Sequence, residues 1–337
     1  MLAAFKNLKN SKGQPVQPLY NQGFLMVEQQ LCGSYGLGDN GLNQVTMQVY
    51  NPGDGKLKYM YTDDKMKQLW QQAADWYKAG YIPTQSITSD TGIDYTKWVA
   101  DGTAGLVGCY SWVGANYLYS TAPDDYAAIN ALQGPGGQVL SWCDTPCRGI
   151  VSGIITTKDK YVNESLQWMD YWYGTEGSQF AQLGTPDVTY TYVNGLPRYN
   201  SSIMDYKGGW QLGALQWGLQ VYGGYTPSID PPPYMQYSSH NSSALQNSGS
   251  TVEDVQKYKP KTTWPSFIAT ASELTQLTVI QTDINKYLTQ ARINFITGKW
   301  NFTTDWDNYV AQLNKMGLST FMSIRQAEYD RYIKSLS

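Results

Sequence analysis

The residues of this chain best equipped for molecular recognition are aromatic. In the stretch GCYSWVGANY, Gly108 to Tyr117, three large rings stand among glycines and small polar residues, just after the apolar run AGLV. Gly108 and Gly114 leave room beside the backbone, and the indole of Trp112 offers a flat apolar platform with a single donor. A sugar ring, with its C–H face and hydroxyl rim, matches such a platform. Burial in the protein's own core is the alternative use of the same residues. Tyr110 and Trp142 are candidates of the same kind as Trp112, whereas Tyr117 reads as packing.

Composition points the same way. The 337 residues include 28 Tyr and 12 Trp but only 7 Phe. A core built for burial alone favours Phe, because a buried phenol or indole must find a hydrogen-bond partner. Lys and Arg total 24 against 27 Asp and Glu, a net charge of −3, with no basic cluster. This argues against a nucleic-acid partner. Charged residues are only 15%, and a surface carried by Asn, Gln, Ser, Thr and Tyr suits neutral, hydroxyl-rich ligands in a secreted setting.

The elements that must position these rings follow from periodicity. The length allows two domains or one large one, and a 42% hydrophobic content can build a core. No apolar run approaches the ~20 residues needed to cross a bilayer, and MLAAFKNLKN reads as a helix with Leu2 and Phe5 on one face rather than a signal peptide. From Lys65 to Pro83, Met66, Leu69, Trp70, Ala73, Trp76 and Tyr77 recur at helical spacing, with Gly80 and Pro83 closing the helix. DYTKWVADG predicts a short helix, AGLVGCYSW a buried strand ending in a loop, and residues 126–139 a strand leading to a Gly/Pro turn. GIVSGIITT predicts a strand, followed by a helix from about Asn163 to Tyr173 and another starting near Thr175. This alternation argues for an α/β architecture. Residues 194–250 read as irregular, and Ser272–Leu336 returns to helix. There Ile284, Tyr287, Leu288 and Ala291 share one face, and Tyr309, Leu313 and Met316 another.

Cys143 and Cys147 form CDTPC around a Pro-containing turn. A local disulfide is the plainest reading in an exported protein. The zinc alternative needs four ligands, and the chain's single histidine is His240, in a Ser/Asn-rich loop. No metal and no cofactor is expected. A Ser/His/Asp triad would also rest on His240, and no glycine-rich phosphate loop appears; the chain does not read as an enzyme.

Three segments resemble the family 1 extracellular solute-binding proteins of bacterial ABC sugar importers, especially the lipoprotein-type members that bind oligosaccharides. FITGKWNFTTDWDNYVAQLNKMGLSTFMSIRQAEYDRY is similar to that subgroup's C-terminal signature. SLQWMDYWYGTEGSQFAQLG resembles its helix and Glu-Gly turn. KQLWQQAADWYKAGYIPTQ with KWVADGTAGLVGCYSW resembles the helix and glycine-rich strand that precede a sugar-stacking aromatic. The likeness runs from Leu2 to the C-terminus, where LAAFKNLK is similar to the helix that opens the family's C-terminal lobe.

The resemblance implies an α/β, periplasmic-binding-protein-like type II fold of two lobes, with the N-terminal lobe incomplete and the signal and lipobox absent. Residues 1–125 would be the first part of the C-terminal lobe, 126–190 a remnant of the N-terminal lobe, and 191–337 the second part of the C-terminal lobe. It implies capture of a sugar or oligosaccharide in an aromatic-lined cleft, with ABC permease subunits as partners, by a monomer lipid-anchored on the extracellular face of the membrane. Trp112 then falls where relatives place an aromatic against a sugar face. The loop YNQGF, Tyr20 to Phe24, falls among cleft contacts, with Gln22 able to bond hydroxyls. In GGWQLGALQWGLQVYGG, either Trp210 or Trp217 is expected to meet the ligand, with Trp210 ahead; seven residues apart, they would share a helical face, though the glycines there argue against a regular helix. Asp144 and Arg148, beside the CDTPC turn, could fix a polar sugar or simply lie in solvent. The calcium loop of some relatives is replaced by NSKGQPVQP, which holds no carboxylate. A glycoside-active enzyme and a carbohydrate-binding surface module remain the alternative functions.

Overall fold

A computed structural model describes residues 1–9, 13, 15–20, 27–28, 31–37, 48–88, 107–110, 131–140, 153–193, 195–207, 210–219, 257–260 and 263–337. The chain falls into two compact units. One comprises Met1–Ala115, Ile129–Arg148 and Thr251–Ser337; the other comprises Asn116–Ala128 and Gly149–Ser250.

In the first unit, α1 (Leu2–Lys6) leads to β1 (Gln17–Tyr20), followed by a 3-10 turn at Cys32–Tyr35 and the short strands β2 (Val49–Tyr50) and β3 (Lys58–Tyr59). A second 3-10 turn, Met60–Thr62, then opens α2 (Asp64–Lys78). Asp63 caps α2 by accepting from the Lys65 N–H at 2.9 Å, and the Tyr50 hydroxyl holds its other oxygen at 2.6 Å. The stripe Met66, Leu69, Trp70 and Ala73 is buried as its spacing predicts, and Gly80, at φ +74°, turns the chain away. α3 (Thr84–Thr88) follows, and β4 (Val107–Tyr110) pairs with β1 in parallel. Parallel neighbours need a long crossover, and α2 and α3 lie within it.

The C-terminal helices complete this unit. α8 (Ala271–Ile296) starts with a capping box: Thr270 Oγ1 accepts from the Glu273 N–H, and the Glu273 carboxylate accepts from the Thr270 N–H. It buries Leu277, Ile284, Leu288, Ala291 and Phe295 and packs against α2 and α10. The Phe-Ile-Thr-Gly turn uses Gly298 at φ +77°, α9 (Trp306–Lys315) buries Tyr309 and Leu313, and α10 (Leu318–Ser335) buries Phe321 and Tyr329. Trp70 sits at the centre of this core, its ring centroid 5.9–6.0 Å from those of Tyr61, Phe295, Trp306 and Tyr309.

The second unit holds α4 (Val162–Tyr171), α5 (Thr175–Leu183), the hairpin β5–β6 (Tyr190–Val193 and Leu196–Tyr199), α6 (Ser201–Met204) and α7 (Trp210–Gln216). The segment read as irregular from residue 194 therefore carries a strand and two helices. The two residues between Val193 and Leu196 are Asn-Gly, the dipeptide that a tight two-residue hairpin loop favours, with Gly195 at φ +77°. Gly213 lies within α7 because a Cβ there would strike the Ile203 backbone, so the glycine permits α6 and α7 to touch. The core of this unit is small: Leu183, Tyr190, Tyr199, Ile203, Met204, Ala214 and Leu219. Of the predicted strand GIVSGIITT, residues 153–156 form no strand among the described residues. DYTKWVADG and residues 126–130 lie outside the described residues, whereas the predicted turn is present at 135–137.

Candidate ligand-binding site

Two of the predicted contact loops leave from neighbouring strands. The parallel register pairs Gln17 with Val107, Leu19 with Cys109, and Tyr20 with Tyr110. Gln22 and Trp112 are each two residues downstream of the Tyr20–Tyr110 pair. Both lie outside the described residues, as do Trp142, Tyr117, Cys143, Asp144, Cys147, Arg148 and His240; of Tyr110, the strand position is described. The carboxyl ends of adjacent parallel strands are where open α/β folds place ligands, because the loops that leave there are free to vary while the strands fix their roots.

Those roots are tied down. The Leu19 N–H and Gln17 Nε2 both donate to the Tyr81 carbonyl, at 3.0 and 2.9 Å, binding β1 to the chain that follows α2. Downstream of the Gln22 loop, Glu28 is 1% exposed. Its Oε1 accepts from Trp70 Nε1 at 2.6 Å, and its Oε2 from the Tyr61 hydroxyl at 3.3 Å and Arg292 Nη1 at 3.5 Å. Burial pushes the Glu28 carboxyl above its ordinary range, opposed by the Arg292 charge and by these hydrogen bonds. Its role is to join three elements of the core. A lone acid in VEQQ gave no sequence signal for this, since its partners are up to 264 residues away.

The approach to Trp142 is also anchored. Ser34 Oγ donates to the Leu132 carbonyl at 2.6 Å, and the Gly134 N–H to the Gln138 carbonyl at 2.9 Å. Gly33 lies against the Leu140 backbone and Gly134 against the Ser34 backbone so closely that neither position has space for a Cβ. Residues 131–140 are thus clasped to the Cys32–Tyr35 turn, backbone on backbone.

In the second unit, Trp210 is the first residue of α7 and Trp217 follows its end, 48% exposed, before Gly218 at φ +69°. The helix that the glycines argued against is present, but it stops at Gln216. This unit also exposes rings that the sequence reading did not single out. Trp168 is 63% exposed and Tyr192 58%, and Gln179 Nε2 donates to the hydroxyls of both Tyr190 and Tyr192, at 2.9 and 2.8 Å. The alternation TYTYV was the only signal for the two tyrosines, and Trp168 lay within a predicted helix. Among the described residues, no group of three or more His, Cys, Asp or Glu could hold a metal ion, and no helix is long and apolar enough to cross a membrane.

No family model matches the chain. It is 23% identical, over 316 residues, to the fructooligosaccharide ABC transporter substrate-binding protein FusA of Streptococcus pneumoniae serotype 4. That match covers 90% of this chain and 54% of FusA, so the chain spans about half the length of the curated relative. Among solved structures, the alginate-binding protein AlgQ2 without calcium ion superposes with a TM-score of 0.72 at 20% identity, over 98% of this chain and 66% of that one. An extracellular solute-binding protein from Bifidobacterium longum subsp. infantis gives 0.71 at 19% identity, over 98% and 68%. FusA in complex with kestose gives 0.69 at 21% identity, over 99% and 67%. The fold is therefore of the two-lobed periplasmic-binding type. The sequence likeness is thus to a substrate-binding protein of an ABC transporter, and the superpositions show a shared fold.

Proposed function

We propose that the chain serves in the capture of a sugar or oligosaccharide for an ABC importer, with Gln22 and Trp112 as its principal contacts and Tyr110 and Trp142 beside them. The observation that carries this reading is the parallel Tyr20–Tyr110 pairing, from which both predicted loops depart. Trp112 stacks on the sugar face and Gln22 bonds its hydroxyls, with Trp210 or Trp217 as a further contact. That FusA is the substrate-binding protein of a fructooligosaccharide transporter and AlgQ2 an alginate-binding protein supports an oligosaccharide as ligand. Binding is non-covalent and needs no catalytic group. Residues 1–125 and 191–337 belong to the C-terminal lobe, and 126–190 are a remnant of the N-terminal lobe. The protein works as a monomer at the extracellular face of the membrane, lipid-anchored and handing its ligand to permease subunits. Asp144 and Arg148 orient polar substituents, and Cys143 and Cys147 close a disulfide that stiffens the loop after Trp142.

Saturation-transfer NMR with kestose and alginate oligosaccharides tests the site, because it registers weak contacts. Transfer to the sugar's C–H protons is expected, falling by about tenfold in Trp112→Ala, in line with the loss of one stacking platform. Transfer that is unchanged by Trp112→Ala, or absent for every sugar tried, overturns the assignment.

A further inference from the structure

Glu28 occupies a core position that an apolar side chain would fill at lower cost. Its charge partner, Arg292, is buried with it, the Nη1 at 3.5 Å from Oε2. A buried ion pair adds little net stability, because taking two charges out of water costs about what their attraction returns, and apolar side chains of similar volume often serve a core as well. What a carboxylate adds is register. An apolar residue tolerates many placements in a core, whereas a carboxylate that accepts from three fixed donors fits in one. The donors here are fixed. Trp70 Nε1, at 2.6 Å from Oε1, belongs to an indole enclosed by four other rings. Tyr61, whose hydroxyl is 3.3 Å from Oε2, is itself held by the Tyr309 hydroxyl, which donates to its carbonyl at 3.0 Å. Arg292 stands on α8, the longest helix of the core.

That register bears on what precedes it. Residues 21–26 alone separate Val27, also buried, from Tyr20, and Tyr20 is held by its pairing with Tyr110 and by the bonds of Leu19 and Gln17 to the Tyr81 carbonyl. A slip of one residue at either end shifts the chain by about 3.5 Å, whereas a binding group must stay within about 0.5 Å of its productive place. We infer that Glu28 is a positioning residue for the ligand: its carboxylate fixes the downstream end of the segment that carries Gln22, as the Tyr20–Tyr110 pairing fixes the upstream end. The inference rests on the reading of Gln22 as a ligand contact.

The test replaces both charges, because truncating one alone strands the other in the core. Glu28→Leu with Arg292→Met removes the tie; Glu28→Gln with Arg292→Met removes the charges but keeps an acceptor for Trp70 Nε1. Circular dichroism establishes that both variants are folded. Amide exchange at residues 27 and 28, read without sugar, is expected to quicken by about tenfold or more in the first variant and by no more than about twofold in the second. Saturation transfer to kestose and alginate oligosaccharides is expected to fall by about tenfold in the first and to be retained in the second. A merely structural Glu28 would lower the unfolding midpoint and leave exchange and transfer in the folded protein unmoved, and that result overturns the inference. Equal losses in the two variants also overturn it, by assigning the effect to Arg292. Transfer that falls in Gln22→Ala but not in the first variant overturns the inference alone, whereas transfer unmoved by Gln22→Ala overturns the reading of Gln22 and the inference with it.

Discussion

The two units use similar aromatic residues to opposite ends. In the first, Trp70, Tyr61, Phe295, Trp306 and Tyr309 interlock between helices of 15, 26 and 10 residues, all buried. The second holds fifteen of the twenty-three exposed large apolar side chains among the described residues, nine of them on elements of ten residues or fewer. A ring is buried only when a second apolar surface faces it, and long helices supply that surface to one another. The second unit has a seven-residue core around Leu183 and Tyr190, and its outward rings touch a neighbouring ring, Trp168 with Trp172 and Tyr192 with Tyr190, yet stay more than half exposed. Aromatic content by itself therefore separates neither core from contact surface, nor one unit from the other.

The sharpest way to break this contrast is to delete one ring from each unit. Trp70→Ala removes a fully buried indole with four aromatic neighbours and is expected to cost about 3–5 kcal/mol of stability. Trp168→Ala is expected to change stability by no more than about 0.5 kcal/mol, as for a surface position. Urea unfolding followed by circular dichroism measures both. Equal losses would mean that Trp168 is covered and the contrast false.

A smaller effect probes the little core the second unit does have. Gly213→Ala forces a methyl against the Ile203 backbone where α6 and α7 meet, and is expected to destabilise the second unit by about 1–3 kcal/mol. Gly218→Ala, at φ +69° with open space around it, tests strain without collision and is expected to cost about 1 kcal/mol. Amide exchange resolved to residues 175–219 distinguishes a local loss from a global one.

How much of this was legible in the sequence follows the same divide. The stripe of α2 and the helices α8 to α10 are long and strongly periodic, and local pattern suffices for them. The capping box at Thr270 and the turn glycine Gly298 mark their ends. The hairpin at Asn194–Gly195 carried a clear signal, masked by Pro197 and the glycines beyond it, which read as irregular chain. Gly213 was misleading for a physical reason: glycine disfavours an isolated helix, but the contact with Ile203 requires it. Glu28 was silent because a buried carboxylate is defined by distant partners. For the proposed site, residue type alone suggested Trp112 and Gln22, while only the strand register relates the roots of their loops to each other.

The smallest expected effect lies at the surface of the well-packed unit and sharpens what holds its ends. Arg331 forks onto Glu273 at 2.6 and 2.8 Å, joining α10 to the capping box of α8. The guanidinium, first, and the Thr270 N–H hold the Glu273 carboxyl down at about 2, against an ordinary value of 4.5. A depressed carboxylate contributes stability that is fully present above the unfolded-state value and is lost as pH falls through the folded one. The first unit should therefore lose a small part of its stability between about pH 4.5 and pH 2, and Glu273→Gln should remove that part of the pH dependence. Because the pair is exposed to solvent, salt should shrink the effect, by screening the charges. Thermal unfolding of the two forms across this window measures it: identical slopes for wild type and Glu273→Gln would show that the fork adds nothing beyond the cap, and that packing alone fixes the ends of α8.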